Sequence, residues 1–112
     1  MPLAPGRLLL NPERVKTVPS CFDSWDVRFA PPPVLPPDYL LYMTSAWVSM
    51  NVLMVDEHRV VVEAGEIPLI EFLQDWGFEV LPVNFRNVIR FGGCFHCVTS
   101  DIRRRGDLQS YF

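Results

Sequence analysis

The sequence has 112 residues, 49% of them hydrophobic and 21% charged, with a formal net charge of −3. That length is one small domain or part of a larger one, the balance is that of a folded rather than a disordered chain, and an acidic surplus argues against nucleic-acid binding. No apolar run approaches the roughly 18–20 residues that span a bilayer, residues 1–5 carry no signal- or transit-peptide pattern, and three cysteines are too few for a disulfide scaffold, so the expected setting is soluble and reducing.

In chain order, Arg7-Leu8-Leu9-Leu10 is a short apolar run closed by Asn11-Pro12, which predicts a buried strand entering a turn. Ser20 is placed to cap a short helix over residues 20–25, with Asp23 and Asp26 on its polar side. The chain has eleven prolines, about twice the usual share, and Pro31-Pro32-Pro33-Val34-Leu35-Pro36-Pro37 concentrates them. Proline lacks a ladder donor and cannot continue a helix, so this segment predicts an extended connector; a polyproline ligand for a binding module is the alternative.

Residues 50–55 and 60–62 are β-prone runs separated by Asp56-Glu57-His58-Arg59, which predicts a hairpin with a four-residue polar loop. Neither run alternates cleanly, so the pair is expected to be buried on both faces. Residues 66–76 predict an amphipathic helix. Pro68 sits in its first turn, Gly77 follows as a left-handed stop, and Leu69, Ile70, Leu73 and Trp76 form one stripe opposite Glu71, Gln74 and Asp75. Residues 78–83 then predict a strand, in which Pro82 marks an edge or a bulge.

Strand, strand, helix and strand make a ββαβ unit, so the fold class is mixed α/β. A second such unit is expected to begin after Phe91-Gly92-Gly93. One unit alone has a small core and open sheet edges, so the chain is expected to be part of a larger fold.

The stretch richest in chemistry is Gly92-Gly93-Cys94-Phe95-His96-Cys97-Val98-Thr99-Ser100-Asp101, followed by Ile102-Arg103-Arg104-Arg105-Gly106. Paired glycines permit a sharp turn, and a cysteine just beyond it is accessible and becomes a nucleophile if its thiolate is favoured. The other reading of Cys97 is a buried cysteine acting as a small hydrophobe. Cys94 and Cys97 also make a C-x-x-C, but such a redox pair normally opens a helix, whereas Val98-Thr99 favours a strand. Zinc could take Cys94, Cys97 and either His96 or His58, with Cys21 as the remaining candidate ligand. The histidine precedes the second cysteine, which excludes a c-type haem site.

This ending, with Leu108-Gln109-Ser110-Tyr111, closely resembles the C-terminal end of glycine (L-arginine:glycine) amidinotransferases. The likeness continues upstream through Met43-Thr44-Ser45-Ala46-Trp47, Ser49-Met50-Asn51-Val52-Leu53-Met54 and Asp56-Glu57, and through Pro5-Gly6 to Asn11-Pro12-Glu13-Arg14. It implies an α/β propeller of five ββαβ modules, of which this chain would supply one and a half to two. It also implies a cysteine, here Cys97, that takes the amidino group from arginine and passes it to an acceptor amine such as glycine, without metal or organic cofactor. Arg14 matches an arginine that binds the substrate carboxylate, and Thr44 and Ser45 match two serines lining the substrate site. Thr44 keeps the hydroxyl, whereas Cys94 stands where the family usually has glycine or serine, and Ser100 replaces a residue that is cysteine in some members. The implied setting is cytoplasmic or mitochondrial, and the implied assembly a homodimer.

Each residue has a plainer reading. Arg14 could be a solvated turn residue, Thr44 and Ser45 could cap the next element of the chain, and Arg103-Arg104-Arg105 could be a surface charge run. His58 lies in a polar loop. If residue 97 is on a strand, His96 faces away from it and is structural. The family's acid–base histidine and its acidic partner fall upstream of the matched region. The 112 residues alone are therefore expected to fall short of a competent enzyme, by roughly 10²–10⁴-fold from acid–base catalysis alone. An arginine deiminase-like hydrolase, and a non-catalytic chain that binds full-length subunits, are the alternatives.

Overall fold

A computed structural model of the chain describes residues 1–34 and 44–103. Near the start, Gly6 adopts a left-handed φ of 73° that only glycine takes without strain, and this folds β1 (Pro2–Ala4) back on β2 (Arg7–Leu10) as an antiparallel pair. β3 (Asp26–Phe29) then adds parallel to β2, with Arg7 opposite Asp26 and Leu10 opposite Phe29. The crossover between them holds a single 3-10 turn, Ser20–Phe22, rather than the Ser20-capped helix over residues 20–25. Pro19 occupies the cap position with no side-chain cap bond, and the Asp26 N–H is drawn to the Gly6 carbonyl at 2.8 Å, which starts the strand instead.

The second sheet repeats that topology. β4 (Leu53–Met54) pairs antiparallel with β5 (Arg59–Glu63), and β6 (Glu79–Val83) pairs parallel with β5 after the crossover helix α1 (Ile67–Asp75). This is the ββαβ unit read from the sequence, with β6 on the sheet edge where Pro82 is tolerated. The first strand is shorter than residues 50–55, because Ala46–Met50 winds into a 3-10 helix. A sheet of the same strand order precedes this one, with a 3-10 turn where the crossover helix would stand; a further unit beginning after Gly93 would fall largely in residues 104–112, outside the described residues. From Gly93 to Arg103 the described chain holds a 3-10 turn and no strand.

The helical stripe faces inward as its spacing requires: Leu69, Ile70, Leu73 and Trp76 are buried, and Gly77 ends the helix at a φ of 88°. They join Met54, Val60, Val62 and Val80 of the second sheet, and Leu3, Leu9 and Ala30 of the first, in one core. Burial of each large aliphatic here contributes about 1.5–3 kcal/mol. Trp76 sews the sheets together. Its indole N–H donates to Asp26 Oδ2 at 2.6 Å, and the Arg28 guanidinium lies 4.9 Å from the ring centroid. The prolines at 31–33 run without regular secondary structure to Val34, whose N–H donates to the buried Glu66 carboxylate at 2.9 Å; Leu35, Pro36 and Pro37 lie outside the described residues.

The hairpin loop is organised by Asp56. Its Oδ1 accepts from the His58 and Arg59 backbone N–H groups, and its Oδ2 accepts from Arg59 Nε at 2.7 Å. The Arg59 side chain, then the two backbone donors, hold the Asp56 carboxyl down at about 2, below the ordinary 3.8. A depressed folded value stabilises above pH 3.8 and is lost as pH falls toward 2. Asp56→Asn is therefore expected to flatten the stability-versus-pH profile between about pH 4 and 2, followed by circular dichroism, lowering stability by a constant amount above about pH 5 and converging on wild type near pH 2.

Candidate active site

A second, smaller apolar cluster on the other face of the β4–β5 pair positions the Gly92–Cys97 stretch. Ile89, Cys94 and Phe95 are buried there against Val48, Leu53, Val61 and Phe85, which explains why both faces of the hairpin are apolar. α2 (Arg86–Ile89) leads into it. The Gly92 N–H donates to the Ile89 carbonyl at 2.9 Å, and Gly92 takes a φ of 89°. Phe95 then stacks on Phe85 with ring centroids 4.3 Å apart. Cys94 is fully buried, and burial pushes its thiol up to about 11, so it remains protonated at neutral pH. Cys94 thus fills the small core.

Cys97 is placed in the opposite way. It is exposed, its thiol is free, and it sits in the 3-10 turn His96–Val98 rather than on a strand. Two hydrogen bonds, one local and one long-range, override the β propensity of Val98-Thr99. The Thr99 hydroxyl donates back to the Phe95 carbonyl at 2.9 Å, and the Cys97 N–H donates to Asn51 Oδ1 at 3.0 Å. His96 is also exposed, so the opposite-face argument that made it structural does not apply. It lines a groove of about 600 Å3 with Asn51, Thr99, Ser100, Asp101 and the apolar Met1, Leu3 and Val52.

The glycine pair brings the candidates together sterically. A Cβ on Gly93 would stand 3.1 Å from the Cys97 Cβ and 3.7 Å from its Sγ, and one on Gly92 would stand 3.1 Å from Thr44 Oγ1. Thr44 and Cys97 therefore flank the same two residues, and any side chain there would crowd one or the other. Ser45, next to Thr44, accepts from the Trp47 N–H at 3.2 Å and caps the 3-10 helix Ala46–Met50.

Arg14 projects from the turn after β2, exposed. Its N–H and that of Glu13 are held by Asn11 Oδ1. Among the described residues no hydrogen bond or ion pair links it to Thr44, Ser45 or Cys97. His58 is exposed in the hairpin loop, and Arg103 is exposed, whereas Arg104 and Arg105 lie outside the described residues. Among the described residues no group of three or more His, Cys, Asp or Glu side chains is placed to hold a metal ion, and no helix is long and apolar enough to cross a membrane. Sequence reasoning does not single out Asn51. Its only signal is membership of the Ser49-Met50-Asn51 run, and nothing in the spacing shows that it reaches a residue 46 positions later.

The turn thus presents the free, exposed thiol of Cys97 against Gly93. The chain matches the C-terminal part of the amidinotransferases, which are transferases. It is 55% identical to the L-arginine:L-lysine amidinotransferase of Pseudomonas savastanoi pv. phaseolicola over 99% of its own length and 31% of the relative's. It is 46% identical to the mitochondrial glycine amidinotransferase of Gallus gallus, over 98% of this chain and 26% of that one. The solved structure of SxtG, an amidinotransferase of the saxitoxin biosynthetic pathway from Microseira wollei, superposes with a TM-score of 0.90 at 49% identity, covering all of this chain and 32% of that one. The inosamine-phosphate amidinotransferase StrB1 from Streptomyces griseus gives 0.85 at 36% identity, over 98% of this chain and 32% of that one. The chain therefore spans between a quarter and a third of the length of these relatives. No protein-family model matches it.

Proposed function

We propose that the protein transfers the amidino group of arginine to an acceptor amine, with Cys97 as the nucleophile. The Cys97 thiolate attacks the guanidinium carbon, the bond from that carbon to the ornithine nitrogen breaks, and the departing nitrogen takes up a proton. The acceptor amine then attacks the amidino-thioether, loses a proton, and the carbon–sulfur bond breaks to regenerate the thiolate. Splitting the exchange in this way replaces one difficult step by two easier ones. The observation that carries the reading is the exposed, free thiol of Cys97, packed against a glycine that leaves it unobstructed.

Thr44, across Gly92 from this turn, is proposed to line the substrate site with Ser45. Arg14 is proposed to hold the substrate carboxylate through its bidentate fork. The resemblance supplies a general acid and base from segments upstream of the matched region, so the 112 residues are proposed to act as the nucleophile-bearing part of the site. It further implies the five-module propeller and a homodimer, and two sheets of like topology in succession support the modular reading.

The test is to supply the whole encoded protein with arginine and, in parallel, glycine, lysine and an aminocyclitol phosphate. Ornithine together with a guanidino derivative of one amine is the expected result. Citrulline formed without any acceptor would replace the reading with hydrolysis. Turnover by the 112-residue chain alone is expected to be absent, and its presence would place the acid–base group within the chain.

A further inference from the structure

A turn that carries a nucleophile must be fixed in direction, because a misplacement of about 1 Å costs on the order of 10²-fold in rate. The 3-10 turn His96–Val98 has no side-chain cap of its own at Phe95, so its opening N–H groups need acceptors from elsewhere. Asn51 supplies two. Its carboxamide oxygen accepts from the Cys97 N–H at 3.0 Å, and its main-chain carbonyl accepts from the His96 N–H at 3.4 Å.

Asn51 is itself held firmly. Its N–H donates to the Val48 carbonyl at 3.0 Å at the end of the 3-10 helix Ala46–Met50, and the next residues enter β4 within the sheet. The chain that begins at the Ser45 cap thus ends in a clamp on the nucleophile's own backbone. Asn51 also lines the groove beside His96, which puts one residue between that groove and the Cys97 turn.

We propose that Asn51 is a positioning residue for the amidino-transfer reaction, aiming Cys97 by holding its backbone N–H. The proposal rests on Cys97 being the nucleophile. Asparagine suits the task because it offers an acceptor oxygen without charge, whereas a carboxylate at the same place would disfavour the thiolate. Alanine there would leave the Cys97 N–H without its partner and the turn free to swing.

The experiment measures alkylation of Cys97 in the whole encoded protein by chloroacetamidine, a planar cation, and by neutral iodoacetamide, from about pH 6 to 10, by peptide mass spectrometry. Wild type, Asn51→Ala and Asn51→Asp are compared with N-acetylcysteine. Labelling of the buried Cys94 in the same digest reports unfolding. Wild type is expected to favour the amidine at least about tenfold over N-acetylcysteine. Asn51→Ala is expected to lose that preference with Cys94 still protected. Asn51→Asp, which keeps the acceptor, is expected to retain the preference within about threefold, while its iodoacetamide midpoint moves upward by about one pH unit. A preference undiminished in Asn51→Ala overturns the proposal. If wild type shows no preference, the nucleophile reading fails for this chain, and Asn51 is then judged by the Asn51→Asp midpoint alone. An unmoved midpoint overturns it, and that readout also decides if Asn51→Ala unfolds.

Discussion

Cys97→Ala is expected to abolish amidino transfer by the whole encoded protein, a loss of roughly 10⁴-fold or more in kcat, since removing a covalent nucleophile leaves only binding and electrostatic stabilisation. Cys97→Ser is expected to fare little better, because a hydroxyl is far less ionised than a thiol near neutral pH. Cys97 is exposed and contributes nothing to either apolar cluster, so folding should be untouched. Mass spectrometry after incubation with arginine is the direct check. The wild-type peptide containing residue 97 should carry an amidino adduct, and the variant should carry none at any cysteine. Retained turnover in Cys97→Ala would remove the thiol from the mechanism. Cys94→Ala makes the useful contrast, since Cys94 is protonated and sealed in the core, and its loss should leave the adduct in place.

The largest expected effect on stability is at Leu73. Its side chain is fully buried on the inner face of α1, in the core shared by both sheets. Truncation to alanine removes transfer free energy and leaves a cavity, a combined cost of about 2–5 kcal/mol. In a chain of this size that corresponds to a fall in Tm of at least about 10 °C. Ile67, on the same helix but half exposed, should change by no more than about 0.5 kcal/mol when shortened to alanine. Thermal unfolding of the two variants measures the difference, and equal shifts would show that α1 does not carry the core.

The ββαβ unit from β4 to β6 is legible in the sequence because each of its signals is local. The stripe at Leu69, Ile70, Leu73 and Trp76, the Gly77 stop and the polar loop at 56–59 are all decided within a few residues. The first sheet is only half legible. Arg7–Leu10 announces itself as a strand, but Asp26–Phe29 carries two charges and owes its extended form to pairing with β2 and to the bond from Trp76, 50 positions away. The conformation around Cys97 escapes local reading for the same reason. Val98-Thr99 favours a strand in isolation, and the 3-10 turn exists because Asn51 arrives from a different part of the chain. The resemblance to the amidinotransferases points to the thiol, while the geometry that presents it comes from contacts that no local pattern encodes.

The loop that carries Cys97 rests on the minor cluster of Ile89, Cys94 and Phe95, on the side of the sheet away from the principal core. The contacts that secure this loop are therefore distinct from those that secure the principal core. Amide hydrogens from 89 to 99 are therefore expected to exchange through an opening of their own, shallower than global unfolding, as native-state hydrogen exchange would measure.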